Sequence, residues 1–126
     1  MSVDSWQPIK APTQLDQVAF NKLIALATQV KDDAHLNAEM DWIQPLAHTD
    51  NKIWSQSALN LHENELTALI RLLTLLEEKQ NWNLAEKSPV IALFKALRKK
   101  AGIDKELVQW VKANSENKYL PFGPLL

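Results

Sequence analysis

The sequence predicts an all-α protein: a compact orthogonal or up-down bundle of about five helices. Three observations carry that expectation. Apolar residues recur at steps of three and four between Thr13 and Asn114, several of these segments open on a capping residue, and clean period-two alternation is absent. Length agrees, since 126 residues with 46% hydrophobic content suit one domain, 1–126, built on one core.

Residues 1–12 read as an extended lead-in, because Pro8 and Pro12 each disfavour the α region in the residue before them. The first helix is expected over about Gln14 to Val30. Thr13 is its predicted cap, with Asp16 three residues on. Leu15, Ala19, Leu23, Leu26 and Val30 form its inner face, widened by Phe20, Ile24 and Ala27. A second helix should begin after Asp32 or Asp33, carry Leu36, Met40 and Ile43 inward, and stop at Pro45. Residues 45–59 read as a long connection with a short helical turn.

The third helix, about 61–80, is expected to be central. Seven of the eleven residues from Leu66 to Leu76 are Leu or Ile, and they occupy more than one face. Asn60 and Glu63 form a predicted capping pair, and Glu77-Glu78 reads as its solvated end. Ser88 caps a fourth helix with Pro89 at its first position; Arg98, Lys99 and Lys100 fill its last turn, and Gly102 stops it. Asp104 opens a fifth helix that ends near Asn114, with Trp110 on its inward stripe. Residues 115–126 read as an extended apolar tail. Tyr119, Leu120, Phe122, Leu125 and Leu126 are its docking candidates, and the seam between the third and fifth helices is the expected berth.

Composition narrows the chemistry. The chain has no cysteine, which removes disulfides, zinc–thiolate sites and thiol catalysis, and favours the reducing cytoplasm. The two glycines, Gly102 and Gly123, are too few for a phosphate-cradling loop. Residues 1–10 lack the pattern of a signal peptide. The Leu66–Leu76 run falls short of the about 20 residues that cross a bilayer, so no membrane partner is expected. His35, His48 and His62 are not spaced as a ligand set, and no metal or other cofactor is predicted. Asp32-Asp33 and Glu77-Glu78 diverge on a helix and do not make a catalytic pair. No catalytic residue is assigned. Among the five tryptophans, Trp6, Trp54 and Trp82 lie in or near connections and read as surface candidates.

Charge is unevenly placed. Residues 1–86 hold six Lys/Arg against twelve Asp/Glu, whereas residues 87–126 hold eight against three. Lys95, Arg98, Lys99, Lys105 and Lys112 therefore form a candidate interaction face. A helix–Gly–helix unit spans Ala96 to Asn114, but Asp104 and Glu106 stand where a DNA-reading helix would meet phosphate, and that helix offers no arginine. The functional expectation is a non-catalytic protein-binding or regulatory module, with homo-oligomerisation open. The alternatives are nucleic-acid association through the basic face of residues 95–118, and a small-molecule enzyme whose site is assembled from distant residues.

Overall fold

A computed structural model describes residues 16–29, 42–102 and 104–123. Six α-helices pack together in it: α1 (Gln17–Ala27), α2 (Ile43–Ala47), α3 (Asn51–Ala58), α4 (Glu63–Gln80), α5 (Pro89–Ala101) and α6 (Lys105–Asn114), with a 3₁₀ turn at Ala85–Lys87. No strand occurs among the described residues. The helix α4 lies at the centre, packed against α1, α5 and α6, while α3 packs on α5.

The central position of α4 follows from its girth. Leu66, Leu69, Ile70, Leu72, Leu73 and Leu76 are all buried, so its apolar surface is wider than one neighbour can cover. Its cap is two residues later than expected: the His62 N–H donates to the Glu65 carboxylate at 3.0 Å. Asn81 closes the other end in the left-handed conformation, φ 59°. The ends of α5 and α6 match their sequence signals. The Ser88 hydroxyl accepts from the Val90 N–H at 3.2 Å. The Asp104 carboxylate accepts from the Glu106 and Leu107 N–H groups at 3.0 and 3.2 Å. Gly102 ends α5 at φ 83°, a conformation that disfavours any side chain.

Several expectations fail. Asp16 caps α1, its carboxylate accepting from the Ala19 N–H at 2.8 Å; Thr13, Leu15 and Val30 lie outside the described residues, as do the lead-in, Trp6 and the predicted start of the second helix with Asp32, Asp33, Leu36 and Met40. Pro45 sits inside α2 rather than ending a helix. It stands in the first turn, where an N–H has no intrahelical acceptor and its loss costs nothing. The segment read as a connection contains α3, started by Asp50, whose carboxylate accepts from the Lys52 N–H at 2.8 Å. Trp54 and Ala58 are the buried stripe of α3, and Trp54 meets Phe20 edge-on at 6.3 Å. Trp54 at 0% and Trp82 at 5% exposure are core residues, not surface candidates. Trp110 is half-buried, with the Arg71 guanidinium 5.3 Å from its ring centroid.

The C-terminal segment is turned, not extended. Residues 118–122 form tight turns around a cis Leu120–Pro121 peptide. Asn117 organises them: its side-chain oxygen accepts from the Tyr119 N–H at 3.0 Å, and its carbonyl accepts from the Leu120 N–H at 3.1 Å. The berth also differs from the predicted α4–α6 seam. Phe122 packs edge-to-face on Phe94 of α5 at 5.3 Å, and Gly123 lies so close to Ile91 that a Cβ would stand 3.2 Å from Ile91 Cγ2.

Candidate interaction face

Lys95, Arg98 and Lys99 are exposed and spaced i, i+3, i+4 along α5. That spacing brings Arg98 and Lys99 each to about 5–6 Å, Cβ to Cβ, from Lys95. Lys105 and Lys112, seven residues apart on α6, are exposed as well. The side chains of Lys95, Arg98, Lys99 and Lys105 make no hydrogen bond, ion pair or ring contact among the described residues.

The neighbouring cations are engaged. The Lys100 ammonium donates to the Leu61 carbonyl at 2.5 Å, tying the end of α5 to the approach to α4. The Lys112 ammonium stands 5.8 Å from the Phe122 ring centroid, and Lys118 stands 5.7 Å from that of Tyr119. Lys112 thus belongs both to the basic face and to the berth of the C-terminal segment. Within that segment Leu120 is buried, Tyr119 and Phe122 are half-buried, and Leu125 and Leu126 lie outside the described residues.

A second constellation escaped the sequence reading. Glu77 is buried at 4% exposure, so Glu77-Glu78 is not a fully solvated helix end. One Glu77 oxygen, Oε2, accepts from the Asn117 side-chain amide at 2.9 Å, and the same amide donates to the Ala85 carbonyl at 3.0 Å. The other oxygen, Oε1, is buried without a hydrogen-bond partner among the described residues. Burial pushes the Glu77 carboxyl above the usual carboxylate range. The Asn117 hydrogen bond and the nearby Ser88 hydroxyl oppose that rise, while the charge of Glu78 adds to it. The signal for Glu77 was present in the periodicity: it follows Ile70 and Leu73 at steps of three and four on the buried side of α4.

Glu77, Glu78, Asn81, Asn83, Glu116, Asn117, Lys118 and Tyr119 surround a cleft of about 420 Å³. Asn81, Asn83 and Ala85 all have positive φ, and Ala85 at φ 52° has no side-chain polar group to favour that conformation. Elsewhere, His48 is exposed, His62 opens α4, and His35 lies outside the described residues. Among the described residues no group of three or more His, Asp or Glu side chains is placed to hold a metal ion. Among them, too, no helix is long and apolar enough to cross a membrane. No known protein family, characterised protein or solved structure matches this chain.

Proposed function

We propose that the protein is a non-catalytic binding module of the cytoplasm whose α5–α6 basic face takes an acidic segment of another protein. Lys95 is the observation that carries this reading. Arg98 and Lys99 have a structural reason to be basic, since cations in the last turn oppose the negative end of the helix dipole. That effect fades beyond the last turn, and Lys95 lies one turn before it. It is exposed, has no partner among the described residues, and extends the row formed by Arg98 and Lys99. Cations placed in this way steer acidic partners and set register more than they stabilise a fold.

Binding of a fluorescent glutamate-rich peptide to the whole chain, read by anisotropy at low and high salt, tests the proposal. The wild type should bind at low salt and weaken as salt rises. The Lys95→Glu/Lys99→Glu variant should lose binding while keeping its far-UV circular dichroism. Equal binding by the two proteins would return these cations to a solvated helix face. Tighter, steeply salt-dependent binding to duplex DNA than to the peptide would replace the acidic protein with nucleic acid.

A further inference from the structure

Residues 115–123 leave α6, cross the end of α4 and settle on α5. Two anchors hold them. The apolar anchor is buried Leu120 together with Phe122, which meets the Phe94 ring at an interplanar angle of 89°. The polar anchor is Asn117 on Glu77 and on the Ala85 carbonyl, with the Glu116 N–H donating to the Glu78 carboxylate at 3.2 Å.

The polar anchor is built around an unsatisfied group. A buried carboxylate needs a partner for each oxygen, and Glu77 Oε1 has none. A proton on that carboxyl removes the buried charge. Undocking of Asn117 would instead bring water to both oxygens and make the charged form acceptable. The docked segment therefore favours protonated Glu77, and the undocked segment favours the ionised form.

We infer that residues 115–123 form a proton-sensitive strap, which closes over protonated Glu77 and loosens when Glu77 ionises.

The groups around Glu77 divide in sign. From its own helix, Glu78 disfavours a second negative charge. The strap contributes Glu116, Lys118 and the Tyr119 phenol to the rim of the same cleft. From the start of α5, the Ser88 hydroxyl favours the charged form. The loop through Asn81, Asn83 and Ala85 brings no ionisable group. Desolvation is the largest influence, so the closed strap raises the pH at which Glu77 loses its proton. Loosening would uncover Phe94 and Ile91 and take Phe122 away from Lys112, changing one edge of the basic face. The inference does not depend on what that face binds.

Amide hydrogen exchange on the whole chain tests it, with rates corrected for intrinsic base catalysis. Amides of residues 119, 120, 122 and 123 report strap opening, and those of α4, which report global opening, should remain the better protected. In the wild type, strap protection should fall by roughly tenfold for each pH unit by which the closed strap raises the Glu77 pKa, as pH climbs from the ordinary carboxylate range through the raised value. Glu77→Gln keeps an acceptor for Asn117 and should hold strap protection constant with pH. Asn117→Ala should leave the strap unprotected at every pH while α4 stays protected. Strap protection that does not change with pH in the wild type, or the same slope in Glu77→Gln, overturns the inference. If the Gln variant does not fold, a strap still protected in Asn117→Ala overturns it.

Discussion

Trp54 offers the sharpest quantitative test of the core. Its side chain is 0% exposed and packs edge-on against Phe20, yet its indole N–H is buried without an acceptor among the described residues. Two opposed terms therefore meet at one residue. Truncation of a buried aromatic to alanine costs about 3–5 kcal/mol through lost burial and the remaining cavity. An unsatisfied buried donor costs about 1–3 kcal/mol, which any replacement lacking the N–H recovers. Trp54→Ala should accordingly destabilise the protein by about 2 kcal/mol, the middle of the truncation cost less the middle of that relief. Trp54→Phe retains an aromatic ring against Phe20 and also removes the orphan donor. Its smaller volume loss should nearly cancel the relief, leaving a change within about 1 kcal/mol of zero. Urea denaturation followed by far-UV circular dichroism measures both. If Trp54→Phe costs as much as Trp54→Ala, the N–H is satisfied and the reasoning fails. If Trp54→Ala leaves the midpoint unmoved, Trp54 is not a core residue.

Leu69→Ala and Leu73→Ala should each cost about 2–5 kcal/mol, because both are fully buried on the central helix; unchanged denaturation midpoints would remove α4 from the centre. Deletion of residues 119–126 should lower the melting temperature and raise binding of a hydrophobic dye, since Phe122 packs on Phe94, Gly123 lies against Ile91 and Leu120 is itself buried; an unaltered melting curve would show that the strap contributes nothing to the fold. Glu77→Gln should alter the pH profile of stability. The folded carboxyl holds its proton above the ordinary carboxylate range, so across that interval the native state binds more protons than the unfolded chain. Wild-type stability should fall as pH rises from the ordinary carboxylate range through the raised folded value, then level off. The Gln variant should lack that decline and be the more stable protein above it; parallel profiles would show that Glu77 is not the group responsible.

The all-helical class, the central helix and the ends of α5 and α6 were legible in the sequence because they depend on local chemistry. Ser88-Pro89, Gly102 and Asp104 act on the backbone within a few residues of themselves, and a run such as Leu66–Leu76 can be satisfied only by neighbours on several sides. Solvent exposure of the α5 cations follows from the same periodicity. Other features depended on which distant surfaces meet. Trp54 is buried because α3 places it against Phe20 of α1, a contact that residues 45–59 do not encode by themselves. The strap folds onto α5 rather than into the α4–α6 seam because Phe122 finds the Phe94 ring and Gly123 lets the backbone approach Ile91. Glu77 becomes a buried, proton-holding carboxyl only when Asn117, 40 residues further along, covers it. Capping and periodicity are properties of neighbours in sequence, whereas desolvation belongs to the assembled surface, and only the tertiary structure decides which groups lose their water.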